Sequence, residues 1–266
     1  MNNFPSFAAI ITAAGKSERF NKNHELNVKK EYLKIDGHTV LYRASEPFFE
    51  IPGLSAVCVT CPEGSEDETI IALEDLVNIN TIPFLIIEGG STRKESVNKA
   101  LNALKNFENS IEYVAIHDGA RPFITPDLII STLAAATVAG AAVPAIRIND
   151  SVKRLGSDGF ISESVDRSGL VRVQTPQIFR YRDILEAHNS SLNNDATDDI
   201  EIYLEKGFKC MPVQGSEKNR KITYFSDIED AEKQAEEYVR EREEGRKSAK
   251  ASRRMRELLY KAGDEQ

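Results

Sequence analysis

Six short apolar runs recur along the chain: "FAAIIT", "SAVCVTC", "PFLIIE", "YVAIH", "AAVPAIRI" and "FKCMPV". Each suits a strand and is too short for an ordinary helix. Their near-continuous apolar character fits strands covered on both faces, as in a parallel sheet whose crossovers are helices. Helices are expected from Thr92, Thr125 and Ser226. Two of these starts are chemically explicit, because Thr92-Arg93-Lys94-Glu95 and Ser226-Asp227-Ile228-Glu229 both match the capping box. Val97, Leu101 and Leu104 then make an apolar stripe, so a core-packed helix should follow "PFLIIE" directly. The rhythm predicts an α/β fold with a Rossmann-like, doubly wound, mostly parallel sheet.

Two segments depart from that rhythm. Within "RINDSVKRLGSDGFISESVDRSG", Gly156-Ser157-Asp158-Gly159 marks a turn between two β-prone stretches. A projecting β-hairpin arm is expected over about 147–171. Beyond Tyr238 the chain becomes "REREEGRKSAKASRRMRELLYKAGDEQ", a mixed-charge run with few apolar residues. One domain is therefore expected over 1–238, followed by a charged, helical or frayed tail at 239–266.

Charge narrows the function classes. A net charge of −8 and a pI near 5.2 argue against a nucleic-acid surface, which needs a wide basic field. A small anionic substrate would instead require a local cluster of Lys and Arg. No apolar stretch approaches the length of a membrane span and the amino terminus lacks a signal pattern, so no membrane role and a cytoplasmic location are expected. The three cysteines cannot all pair, which fits a reducing compartment. Cys58 and Cys61 form a C-x-x-C, but on a strand residues three apart point to opposite faces. The four histidines are scattered and form no zinc motif.

The turn after the first apolar run, "TAAGKSERF", carries the chemistry. A Walker A loop would need glycine at position 10, which is Ile10 inside the strand. The dinucleotide fingerprint fails as well, at Ser17 and Phe20. What remains is a strand, a small-residue turn and a basic loop. Small side chains let backbone N–H groups approach a polyphosphate closely. Arg19 and Lys30 would then supply charge, or would simply be solvated surface cations.

Eight stretches now fall in order: "TAAGKSERF", "KKEYLKIDGHTVL", "GGSTRKESV", "HDGARPF", "DSVKR", "VDRSGLVRVQTPQIF", "ATDD" and "GSEKNRKIT". Together they resemble the 2-C-methyl-D-erythritol 4-phosphate cytidylyltransferase family from about Ala8 to Tyr238. The resemblance implies transfer of CMP from CTP to a sugar-alcohol phosphate, with Mg²⁺ or another divalent cation and a homodimer built through the arm. It implies Arg19, Lys30 and Lys221 as the catalytic cations. Ala13, Ala14, Gly15, Gly89, Gly90, Arg93, Ser96 and Asp118 would contact CTP, with Arg93 and Ser96 sharing a helical face toward the base. Asp118, at a strand's carboxyl end, suits a metal that keeps most of its waters, or else caps the following turn. Arg121, Asp150, Ser151, Lys153, Arg167, Thr175 and Thr197 would hold the acceptor, with Arg167 clamping its phosphate.

Several positions leave the family pattern. Thr12, Ser17, Lys29, Glu31, Gly119, Ser151 and Arg220 replace its usual residues, and the loop before Lys30 looks longer by about four residues. The extra loop residues and Lys29 put the stiffness of the phosphate loop in question. Two rivals remain: a ribitol 5-phosphate cytidylyltransferase, and a non-catalytic nucleotide-binding module. The stretch from Asp150 to Gln177 resembles the erythritol-phosphate version more closely than the ribitol one.

Overall fold

The computed structural model describes residues 4–22, 28–78, 80–193, 195–235 and 240. In its first half lie β1 (Phe7–Thr12), α1 (Glu18–Asn21), β2 (Lys34–Ile35), β3 (His38–Thr39) and α2 (Val40–Ser45). Then follow β4 (Leu54–Cys61), α3 (Glu66–Ala72), α4 (Glu74–Val77), β5 (Phe84–Glu88), α5 (Arg93–Ala103) and β6 (Tyr113–Asp118). The second half contains α6 (Pro126–Ala139), β7 (Ala141–Arg147), β8 (Val152–Leu155), β9 (Ile161–Val165) and β10 (Val171–Val173). It closes with β11 (Gln177–Arg180), α7 (Tyr181–Ser190), α8 (Asp199–Glu205) and β12 (Met211–Gln214).

Eight strands form the central sheet. β1 lies between β4 and β6, parallel to both, and β4 is parallel to β5. On the other flank β11 runs antiparallel between β6 and β7, while β12 pairs parallel with β7. β10 continues antiparallel along β7. The sheet is thus α/β and mostly parallel, as expected. Side chains of β1 alternate between two cores: Phe7, Ala9 and Ile11 pack on one face, and Ala8 and Ile10 on the other. Burying both faces explains why the runs of β1 and β6 are apolar throughout, whereas β12 is mostly exposed.

Two helix caps follow the sequence signals, whereas at the expected Ser226 start the Asp227 carboxylate accepts from the Thr223 and Tyr224 amides in place of the expected box. Thr92 caps α5 by accepting from the Glu95 amide, and Thr125 caps α6 by accepting from Leu128 N. The Glu95 carboxylate reaches back to the amide and hydroxyl of Ser91. Residues 227–235 are helical directly after Ser226, and their Ala231 and Ala235 pack on Phe20, Phe123 and Ile222. Apart from Arg240, the expected tail at 239–266 lies outside the described residues.

The arm forms as expected, with β8 paired to β9 and Gly159 in the left-handed region at φ 81°. Leu155, Phe160 and Ile161 on it are 67%, 75% and 67% exposed, too apolar for an ordinary solvated hairpin tip. The strand read from "FKCMPV" starts only at Met211, because Phe208 turns away to stack on Tyr203 at 4.7 Å. Cys58 packs among Ala8 and Ile10, whereas Val57 and Val59 belong to the opposite core. Alternation puts Cys61 on that opposite side, where its thiol donates to the Ile87 carbonyl at 3.3 Å. Burial pushes the Cys58 thiol up to about 12, as expected of an inert core cysteine. Among the described residues no helix is long and apolar enough to cross a membrane.

Candidate active site

β1 and β6 end side by side, with Thr12 opposite Asp118. From β1 the chain moves outward to β4 and β5, then returns to β6 on the other side of β1. The carboxyl ends flanking such a reversal are where open α/β sheets form their ligand crevice. A cleft of about 420 Å³ opens there. Its walls include Ala14, Gly15, Arg19, Lys30, Gly90, Arg93, Ser96, Asp118 and Lys221. Five basic side chains (Lys16, Arg19, Lys30, Arg93, Lys221) face three carboxylates (Glu18, Glu31, Asp118), a local cation surplus in a chain of net charge −8. The cations come from four separate segments that the fold brings to one hollow.

Asp118 is the hub. Its Oδ2 lies 2.9 Å from Lys221 Nζ and 3.3 Å from Arg121 Nε, and its Oδ1 lies 3.8 Å from Arg93 Nε. Burial alone would raise its pKa, but Lys221, Arg93 and Arg121 outweigh it and hold the carboxyl well below the usual range. Lys30 stands on the 3-10 turn Lys30–Tyr32, only 8% exposed, with its ammonium donating to the Ile222 carbonyl at 2.7 Å. Burial lowers its pKa; Glu31 opposes this, and nearby Lys221 adds to it. A polyphosphate beside Lys30 would reverse that shift. Arg19, on exposed α1, has no ion-pair partner among the described residues.

Behind Asp118 the hydrogen bonds have a fixed direction. His117 Nε2 lies 3.2 Å from the Arg121 carbonyl, which can only accept, so Nε2 carries the proton. Nδ1 therefore accepts from the Thr175 hydroxyl at 2.9 Å, and that hydroxyl accepts from the Asp118 amide at 3.1 Å. Full burial lowers the imidazole pKa to about 4, so it stays neutral near pH 7. Thr175, expected on the acceptor, is buried and ties β6 to the residues before β11. Asn219 adds a second tie, donating to the Thr175 carbonyl at 2.8 Å while its own carbonyl accepts from Arg121 Nη1 at 2.8 Å.

On the opposite wall Arg93 bridges two acids. Besides Asp118, its Nη1 lies 2.7 Å from Asp199 Oδ2, and Asp199 Oδ1 is 3.1 Å from His188 Nε2. Asp199 is fully buried; desolvation would raise its pKa, but Arg93 and His188 pull it below the ordinary value. Sequence reasoning missed Asp199, Asn219 and Thr60. The second acid of "ATDD" was the available signal for the first of these. Ser96 donates to the Thr92 carbonyl at 2.9 Å and accepts from the Gly90 amide at 3.0 Å, closing the turn into α5. A methyl group at Gly89 would come within 2.2 Å of the Ala14 methyl, so only glycine lets this turn approach the β1 loop.

Other expected contacts sit elsewhere. Ala13 lies beneath the cleft, and its amide is engaged by the carbonyl and hydroxyl of Thr60 at 3.1 and 3.2 Å. Gly89 donates to the Cys61 carbonyl at 2.8 Å. Asp150, Ser151, Lys153 and Arg167 are exposed on or beside the arm and do not line the cleft. Lys153 bonds Ser164 at 2.6 Å, and Arg167 donates to the Asn149 carbonyl. Thr197 is exposed, bonding Glu201 through its amide and hydroxyl.

Comparison with known proteins gives the family and the fold. The family model described as IspD, 2-C-methyl-D-erythritol 4-phosphate cytidylyltransferase, matches residues 7–237. The 2-C-methyl-D-erythritol 4-phosphate cytidylyltransferase of Caldanaerobacter subterraneus is 37% identical, over 85% of this chain and 96% of its own. A bifunctional enzyme IspD/IspF of Rhodopseudomonas palustris is 38% identical over 86% of this chain, which spans 55% of that longer relative. The crystal structure of the Thermus thermophilus cytidylyltransferase superposes with a TM-score of 0.68 at 28% identity, covering 87% of this chain and 99% of that one. The 4-diphosphocytidyl-2C-methyl-D-erythritol synthase of Anaerococcus prevotii gives 0.73 at 25% identity, covering 87% and 96%. This chain belongs to the 2-C-methyl-D-erythritol 4-phosphate cytidylyltransferase family.

Proposed function

We propose that the chain transfers CMP from CTP to 2-C-methyl-D-erythritol 4-phosphate, giving 4-diphosphocytidyl-2-C-methyl-D-erythritol and pyrophosphate. The observation that carries this is the convergence of Arg19, Lys30, Lys221 and Asp118 on one cleft in a member of this family. A phosphate oxygen of the acceptor attacks the α-phosphorus, a new P–O bond forms, and the bond to the bridging oxygen of pyrophosphate breaks. The attacking phosphate is already ionised at neutral pH, so no general base is needed. The chemistry requires in-line placement and cancellation of charge between two polyanions. Lys30, pinned by the Ile222 carbonyl, and Arg19, without an ion-pair partner among the described residues, supply positive charge where equatorial oxygens gather negative charge.

Asp118 is the residue that would hold a divalent cation. Among the described residues no cluster of three or more His, Cys, Asp or Glu side chains could bind an ion. The donor set therefore fits Mg²⁺ only together with triphosphate oxygens and water, its ordinary mode at phosphates. When bound, the ion would neutralise phosphate charge and orient the nucleotide. Lys221, 2.9 Å from Asp118, would then turn its ammonium to a phosphate oxygen.

The exposed arm supports a homodimer in which Asp150, Ser151, Lys153 and Arg167 complete a neighbour's acceptor pocket. Apolar side chains on its tip and four acceptor-type residues remote from its own cleft favour that reading. Sedimentation should show a dimer; an active monomer would contradict it. Pyrophosphate release with CTP, Mg²⁺ and each candidate acceptor tests the reaction. Turnover with the methylerythritol phosphate is expected. Turnover with ribitol 5-phosphate alone would move the substrate, and CTP binding without any turnover would make the protein a nucleotide-binding module.

A further inference from the structure

Two charged side chains beside the cleft have no part in the mechanism above. Lys29 and Glu31 flank Lys30, and their side chains are only 14% and 6% exposed. The Lys29 ammonium lies 2.9 Å from Glu31 Oε2 and also donates to the Gly15 carbonyl. The same Glu31 oxygen accepts from the Ser17 hydroxyl at 3.3 Å. Both residues therefore reach from the wall that carries Lys30 to the loop that follows β1.

That loop needs an external hold. Ser17 sits at φ 54°, a left-handed conformation that costs a non-glycine residue about 1 kcal/mol. Gly15 is exposed, and nothing lies within 4 Å of the place a Cβ would occupy, so packing does not fix it. A bare carboxylate on this wall would also repel a polyphosphate. Lys29 cancels the Glu31 charge and gives a second donor to the Gly15 carbonyl in the loop.

We infer that Lys29 and Glu31 are positioning residues: an ion-pair strap that fixes the Gly15–Ser17 loop in the shape that receives the triphosphate, with Lys30 held between them. The strap itself rests on the geometry alone, and its effect on CTP rests on the proposed function.

The test uses the full chain as wild type, Lys29→Met, Glu31→Gln and the double variant. Trypsin cleavage after Lys16 and Arg19 in nucleotide-free protein, followed by mass spectrometry, reads the strap directly. Each variant should be cut there about tenfold faster, and unchanged cutting overturns the proposal. Calorimetric CTP affinity reads the consequence. Each single variant should bind about tenfold more weakly, and the double variant no more weakly than the worse single. Tighter binding by Glu31→Gln, or a lowered melting midpoint with CTP affinity intact, would overturn the strap. Faster loop cutting in the variants with no CTP binding by the wild type would sustain the strap and sink the nucleotide reading.

Discussion

Asp199 shows how much depends on one buried charge. Itself fully buried, it accepts from buried His188 on one oxygen and pairs on the other with Arg93, which faces the cleft. Such a pair adds little compared with a well-packed apolar core, but removing one partner strands the other. Arg93 keeps Asp118 and faces the cleft, so Asp199→Ala chiefly strands the buried His188 N–H and should lower the unfolding free energy by about 1–3 kcal/mol in urea titrations. A loss below about 0.5 kcal/mol would mean that His188 finds another acceptor. His117 makes a second prediction at this scale. Its folded pKa of about 4 lies below the ordinary 6.5, so the unfolded chain binds a proton first as pH falls. Its contribution is fully present above pH 6.5 and is lost as pH drops toward 4, by about 3 kcal/mol in all. Stability measured across that window should fall more steeply in the wild type than in His117→Gln. Parallel curves would place the imidazole in contact with solvent.

At the level of elements, the strand ends do the positioning. The Ala13–Gly15 turn after β1, the Gly89–Gly90 turn after β5 and Asp118 at the end of β6 meet because β6, β1, β4 and β5 run parallel in that order and end along one edge of the sheet. Gly89 sets the closeness of that meeting. Gly89→Ala would push a methyl against Ala14 at 2.2 Å and the Ser96 hydroxyl at 2.7 Å. It should cost about 1–3 kcal/mol of stability and weaken CTP binding together, measured by denaturation and calorimetry. Normal CTP affinity in that variant would show that the loop tolerates displacement. The parallel centre was legible because strands buried on both faces must be apolar at every position, as "FAAIIT" and "YVAIH" are. β10 and β11 were not legible: "VRV" and "QIFR" are short, and their place in the sheet follows from pairing with β7. The glycine turn, Arg19 and Lys30 could be read from local sequence, whereas Lys221 was reached through the family resemblance. The Asp199–Arg93 pair and the Lys29–Glu31 strap could not, because they depend on which distant loops the sheet brings together.

Over the whole molecule, a chain of net charge −8 gathers five basic side chains against three carboxylates in one hollow. Arg19, Lys30 and Lys221 reach it from the exposed side of α1, a buried turn and the stretch before the helix at 227–235, so their meeting is a property of the tertiary fold. The central claim is that these fixed charges supply the rate. The most direct check is pyrophosphate release at saturating CTP and methylerythritol phosphate for Arg19→Ala, Lys30→Met and Lys221→Met, each shown to be folded. Each should be slower than wild type by about 10²–10³-fold. Rates within about tenfold of wild type for all three would contradict the account.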